Sequence, residues 1–214
     1  MNDLKTILAS CHLYGILDLG YVTEEHALET TRAMLKGGVR ILQLRAKNVP
    51  LERVESLAHE IVPLCREFGC ISIINDYPEI AVKCDADGVH VGQDTLDLDA
   101  VRRLLGDGKI VGRSTHSVDQ ARRGWEEGAD YIGFGPLFRT ATKPGRAAIG
   151  LKGIAEIKQV LPSNFPVFCI GGVNESTLSE VLDAGACRVV IVSWLLTHAN
   201  VEQTARDLVT MLAK

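Results

Sequence analysis

Residues 41–75 read ILQLRAKNVPLERVESLAHEIVPLCREFGCISIIN. Two short apolar runs, Ile41–Arg45 and Ile71–Asn75, flank a longer stretch of different period. Within Leu51–Phe68, the residues Leu51, Val54, Leu57, Ala58, Ile61, Val62 and Cys65 recur at the i, i+3, i+4 spacing of one buried helix face, and Gly69 follows its end. Pro63 is expected to kink that helix. The unit is strand, helix, strand, and a helix between two such strands makes them parallel neighbours.

The same alternation runs through the rest of the chain. Further strands are expected at Leu13–Asp18, Gly88–Gly92, Ile110–Ser114, Tyr131–Gly135, Val167–Gly172 and Arg188–Ser193. Helices are expected at Glu24–Lys36, Pro78–Lys83, Asp97–Leu105, Val118–Glu127, Leu151–Leu161, Thr177–Ala184 and Val201–Leu212. Ser117 and Gln120 form an S-x-x-Q capping box ahead of Ala121. Eight such units with right-handed crossovers close into a single-domain (β/α)8 TIM barrel over residues 1–214. The rival, an open doubly wound sheet, calls for a nucleotide fingerprint. Here Gly133-Phe134-Gly135 is followed by Phe138 where a third glycine belongs, and no Walker A sequence is present.

Composition agrees with an α/β core. The chain has 214 residues, 46% hydrophobic and 23% charged, and only 5% aromatic, which suits parallel strands of Val, Ile and Leu. A net charge of −4 gives no field for a phosphate backbone, so nucleic acid is not an expected partner. No apolar run reaches the roughly 20 residues of a membrane span, and the acidic start does not read as a signal peptide. The expected location is cytoplasmic. The six cysteines, Cys11, Cys65, Cys70, Cys84, Cys169 and Cys187, include no CxxC pair, so each is read as structural. Nothing in the composition decides between a monomer and a homo-oligomer.

In a parallel barrel, chemistry sits at the C-terminal ends of the strands. The second strand ends Gln43-Leu44-Arg45-Ala46-Lys47, and the two-residue period puts Gln43 and Arg45 on one face. The third ends Asn75-Asp76-Tyr77 and the fourth His90-Val91-Gly92-Gln93-Asp94-Thr95. The fifth ends Arg113-Ser114-Thr115-His116, and the loop after the sixth carries Thr140-Ala141-Thr142-Lys143. The seventh and eighth end in Gly171-Gly172 and Val192-Ser193. Two anion sites follow. Gly171-Gly172 and Ser193 suit the phosphate site that barrels build after their last two strands. Arg45, Lys47 and Lys143 form a cation cluster beside Asp76, an arrangement suited to a diphosphate with Mg2+. Against this stand plainer readings: Arg45 and Lys47 as a solvated, ion-paired rim, Thr140 and Thr142 as turn residues, and His90 as a barrel-wall histidine. No Ser-His-Asp order, glutamate pair or activated cysteine stands out.

On these segments, together with Gly88-Val89-His90-Val91-Gly92-Gln93, Ser114-Thr115-His116 and Gly128–Pro136, the chain resembles the thiamine phosphate synthase family within the thiamine synthase and thiazole tautomerase superfamily. The resemblance implies a (β/α)8 barrel that joins hydroxymethylpyrimidine diphosphate to a thiazole phosphate. Thiamine phosphate and pyrophosphate would be the products, formed by a dissociative route through a pyrimidine-stabilised carbocation. It implies that Gln43, Leu44, Arg45, Ala46, Lys47, Asn75, Ser114 and Lys143 hold the pyrimidine diphosphate. Thr140, Ala141, Thr142, Gly172, Val192 and Ser193 would hold the thiazole phosphate. Arg45, Lys47, Ser114 and Lys143 would carry the catalysis, with Mg2+ on Asp76. The family's second metal-ligand position is Thr95 here, with Asp94 beside it, and Tyr77 stands where the family usually has arginine. Gly112-Arg113-Ser114-Thr115-His116-Ser117 also resembles the tautomerase branch, in which the histidine is a general acid/base and no metal is needed. A thiamine-phosphate-binding regulator is the third reading.

Overall fold

In a computed structural model, which describes residues 4–93, 97–140 and 147–213, strand β2 (Ile41–Arg45) lies between β1 (Leu13–Asp18) and β3 (Ile71–Asn75), parallel to both. Helix α3 (Leu51–Glu67) makes the crossover from β2 to β3. The series continues through β4 (Gly88–Val91), β5 (Ile110–Thr115), β6 (Tyr131–Phe134), β7 (Val167–Cys169) and β8 (Val189–Ile191). β8 pairs back onto β1 through Tyr14 opposite Val190, which closes the sheet as β1-β2-β3-β4-β5-β6-β7-β8. The chain is the expected (β/α)8 barrel.

The first three strands coincide with their expected limits. The last two are shorter than their apolar runs: β7 stops at Cys169 because Gly171 and Gly172 turn at φ of 98° and 69°, and Ser193 already belongs to a helix. The outer layer comprises α2 (Glu24–Lys36), α3, α4 (Pro78–Lys83), α5 (Leu98–Leu105), α6 (Val118–Glu126), α7 (Lys152–Val160), α8 (Leu178–Asp183) and α10 (Val201–Leu212). Asp97 caps α5 and Ser117 caps α6. The Gln120 side chain reaches back to the His116 N–H at 2.7 Å, one residue before the cap itself. α3 runs on through Pro63, which is exposed, so the carbonyl it leaves unpaired faces water.

Two short helices were not legible in the periodicity. In α1 (Leu4–Ser10) the only buried residue is Leu8, too little for a period to register. It is held at the N-terminal end of the barrel by the Lys5–Asp130 ion pair at 3.1 Å and by Arg188 donating to the Ala9 carbonyl at 2.7 Å. The other, α9 (Ser193–Thr197), opens directly after β8.

Three of the aromatic residues meet inside the barrel. Tyr14, Tyr131 and Phe168 are fully buried and pack edge to face, with ring centroids 5.2–5.7 Å apart, and His90 stacks on Tyr131 at 5.5 Å. Tyr131 occupies the space a side chain at residue 112 would need: a Cβ on Gly112 would run into its ring and hydroxyl. Gly112→Ala is therefore expected to cost about 1–3 kcal/mol by overpacking, read as a lower urea midpoint at unchanged slope. Five cysteines are buried and Cys187 is exposed. Burial pushes the Cys11 thiol up to about 11 and that of Cys169 to about 12. A thiol-disulfide reagent at about pH 8 is expected to modify Cys187 quickly and the other five only after unfolding.

Candidate active site

The C-terminal ends of the strands surround an open cavity. Its floor is the aromatic cluster, and its walls are the residues that the two-residue strand period turns inward. Gln43 and Arg45 of β2 line it together, as do Asn75 of β3, His90 of β4 and Ser114 of β5. Leu44 and Ala46, on the alternate face of β2, are buried away from the cavity. His116, Thr140, Gly172 and Val192 join the lining from beyond the strand ends, and Ser193 from the start of α9. Asp94, Thr95, Ala141, Thr142 and Lys143 lie outside the described residues.

Arg45 and Lys47 are not bare cations. Arg45 Nη1 donates to Asp18 Oδ2 at 2.6 Å, and the Asp18 carboxylate is 1% exposed. Asp18 closes β1 directly opposite Arg45 in the sheet register, and its other oxygen accepts the Gly20 N–H at 2.9 Å. Lys47 Nζ donates to Asp76 Oδ2 at 2.5 Å, and Asn75 Nδ2 donates to the same oxygen at 2.8 Å. Both cations are ion-paired, but only Lys47 is solvated; Arg45 is 12% exposed and lines the cavity. The enclosed Asp18 fixes the Arg45 guanidinium, whereas the Lys47 ammonium is about half exposed. Asp18 is the residue that strand-end reading missed. The available signal was a single carboxylate ending the otherwise uncharged strand LYGILD.

Across the cavity, Gly171 and Gly172 adopt positive φ, and a Cβ on Gly172 would meet Phe138 Cβ at 2.7 Å. Only glycine passes this close. The Gly172 carbonyl is taken up by Thr177 Oγ1 at 2.9 Å and Asn174 Nδ2 at 3.2 Å, which braces the turn beside Ser193. The face is hydroxyl and backbone, with no carboxylate in the lining among the described residues.

Both histidines of the lining are tied to defined partners. His116 Nδ1 contacts the Gly135 carbonyl, which can only accept. Nδ1 therefore carries the proton and Nε2 is the basic nitrogen. His90 Nδ1 meets the Tyr131 hydroxyl at 3.1 Å and its Nε2 meets Ser114 Oγ at 2.9 Å. Burial raises the hydroxyl pKa of both Tyr14 and Tyr131 above the usual phenol range, so both stay protonated.

Asp18 accepts from both Arg45 and the Gly20 N–H, so its loss removes a buried acceptor that two donors share. Asp18→Ala is expected to lower stability by about 3–5 kcal/mol in urea unfolding, while Arg45→Met, which retains the stem but leaves a carboxylate able to take a proton, should cost less.

The family model described as thiamine monophosphate synthase matches residues 13–195. The thiamine-phosphate synthase of Roseiflexus sp. (strain RS-1) is 38% identical over 202 residues, which cover 94% of this chain and 85% of that protein. That of Thermus thermophilus is 40% identical, over 86% of this chain and 88% of its own. Other relatives are longer: the chain spans 54% of the Thermosynechococcus vestitus thiamine-phosphate synthase and 60% of the Synechocystis one, each at 37% identity. Among solved structures, a thiamine phosphate pyrophosphorylase from Pyrococcus furiosus superposes with a TM-score of 0.85 at 28% identity, over 98% of both chains. The closed barrel agrees with these matches, and this chain belongs to the thiamine monophosphate synthase family.

Proposed function

We propose that this chain, acting as one barrel domain, is a thiamine-phosphate synthase that joins hydroxymethylpyrimidine diphosphate to a thiazole phosphate and releases pyrophosphate. The observation that carries this reading is the division of one cavity into two faces. Gln43, Arg45, Asn75 and Ser114 gather on one side, and the glycine turn with Val192 and Ser193 on the other. Two phosphorylated substrates bound there would meet over the aromatic floor. Holding them in register replaces the entropy cost of a bimolecular encounter.

Among the described residues the lining offers no paired carboxylates and no exposed thiol, which suits a reaction in which the leaving group departs before the thiazole nitrogen attacks. Arg45, oriented by Asp18, would stabilise the negative charge that grows on the departing pyrophosphate, and Ser114 would donate to one of its oxygens. Lys47 and Lys143 are proposed to share that charge from the rim. Thr140, Ala141, Thr142, Gly172, Val192 and Ser193 are assigned to the thiazole phosphate. Leu44 and Ala46 are assigned only the spacing of Gln43, Arg45 and Lys47.

The donor chemistry at Asp76 fits Mg2+. Its carboxylate is a hard ligand at the cavity edge and already receives a cation, the Lys47 ammonium. Among the described residues no cluster of three or more ligating side chains is present, which suits a metal completed by phosphate oxygens and water. Asp76 would hold it, with Asp94 or Thr95 as the second protein group. Bound Mg2+ supplies charge neutralisation on the diphosphate. No helix among the described residues is long and apolar enough to cross a membrane, and a cytoplasmic enzyme of small phosphorylated substrates is the proposed setting.

A thiazole tautomerase is the second reading, favoured by His116, whose basic Nε2 belongs to a cavity-lining ring. Incubation with both substrates is expected to give thiamine phosphate only when Mg2+ is present. No product at any Mg2+ concentration overturns the synthase reading. Metal-free isomerisation of the thiazole carboxylate phosphate, lost in His116→Ala, would establish the tautomerase instead, and thiamine phosphate binding with neither activity a regulator. Arg45→Ala is expected to lower kcat/KM for the diphosphate substrate by about 10²-fold. Thr95→Asp should shift the Mg2+ titration to lower concentration, and an unchanged titration would show that Thr95 is not the weak ligand.

A further inference from the structure

A continuous hydrogen-bonded chain crosses the barrel beneath the cavity. Gln43 Nε2 lies 2.8 Å from the Tyr14 hydroxyl, and that hydroxyl lies 2.8 Å from the Tyr131 hydroxyl. Tyr131 meets His90 Nδ1 at 3.1 Å, and His90 Nε2 meets Ser114 Oγ at 2.9 Å. The chain joins β2 to β5 through β1, β6 and β4, so adjacent strands alone could not have made it. Its two ends, Gln43 and Ser114, both line the cavity.

The direction of every bond follows from one end. An amide nitrogen only donates, so the Tyr14 oxygen receives the Gln43 N–H. Tyr14 is fully buried, and its hydroxyl proton needs an acceptor. The remaining partner among the described residues is Tyr131 Oη. Tyr131, buried as completely, passes its own proton toward its remaining partner, His90 Nδ1. That nitrogen must then be unprotonated. The neutral ring carries its hydrogen on Nε2, which donates to Ser114 Oγ. With its oxygen accepting from below, Ser114 directs its own O–H into the cavity. The opposite direction would leave the Tyr14 proton buried without an acceptor.

We propose that Tyr14, Tyr131 and His90 are positioning residues: a relay whose polarity, set by Gln43, makes Ser114 an obligate hydrogen-bond donor to a phosphate oxygen in the cavity. The relay carries no net proton transfer. It fixes the His90 tautomer and the rotor of one hydroxyl before substrate arrives, so that no reorientation is needed when charge develops. Its role in turnover rests on the synthase reading, whereas its polarity does not.

The test uses the full chain labelled with ¹⁵N, with the His90 imidazole signals identified by their loss in His90→Gln. Near neutral pH the His90 ring is expected to show a pyridine-type Nδ1 and a protonated Nε2. A protonated Nδ1 with a bare Nε2 overturns the proposal. Gln43→Glu presents an acceptor where the amide donated, so every bond should reverse and Nδ1 should become protonated. An unchanged tautomer there refutes the assignment of Gln43 as the source of polarity. In turnover, Tyr131→Phe is expected to lower kcat/KM by about five- to tenfold, and to cause little further loss when Ser114 is already alanine. Losses that simply multiply would show that Tyr131 does not act through Ser114. If Tyr131→Phe does not fold, the wild-type spectrum decides. An inactive wild-type chain with the expected tautomer would remove the synthase reading and leave the polarity standing.

Discussion

Tyr131 lies in the space that Gly112 leaves open and packs edge-on against Tyr14 and Phe168, and the cavity above depends on that contact. A closed eight-stranded barrel has an interior that side chains must fill. Here a cluster of rings fills it, including two phenols whose hydroxyls cannot reach water. Their polar atoms had to be satisfied internally, and the satisfaction runs outward to Gln43 and Ser114, the residues that line the floor of the site. Core packing and site chemistry are thus parts of one arrangement.

The rim follows a similar logic with charge. Asp18 and Asp76 stand at the ends of β1 and β3, on either side of the strand that carries Arg45 and leads to Lys47. Each carboxylate holds a cation that would otherwise be mobile or repelled by its neighbour. The consequence differs with burial. Asp18 is enclosed and fixes Arg45, while Lys47 is about half exposed and its contact with Asp76 is the weaker constraint. A diphosphate therefore finds one pre-oriented guanidinium and one ammonium free to adjust.

Much of this was readable before any coordinates. Hydrophobic period distinguished strand from helix through most of the chain, because each helix packs one face on the sheet and each strand is buried on both. The inward pairing of Gln43 with Arg45 followed from the same geometry. The shortened β7 and β8 were harder to read, since apolar residues continue past Cys169 and Ile191 into turns whose backbone has already left the ladder. Helix α1, with one buried residue, offers almost no periodic signal. His90 reads from sequence as a wall histidine, which it is; that it also joins two tyrosines to Ser114 is invisible in the order of residues.

What the sequence determined alone is the barrel, the end of it that carries chemistry and the residue types gathered there, because these depend on local periodicity and on parallel strands needing crossovers. Only the tertiary structure decided that Asp18 holds Arg45, that Lys47 and Asp76 are partners, and that Gln43 and Ser114 are ends of one chain. Those contacts join residues 24 to 117 positions apart, some on neighbouring strands and others, such as Tyr14 with Tyr131, across the closed barrel. No local pattern encodes which of many polar residues will face one another once the eighth strand meets the first.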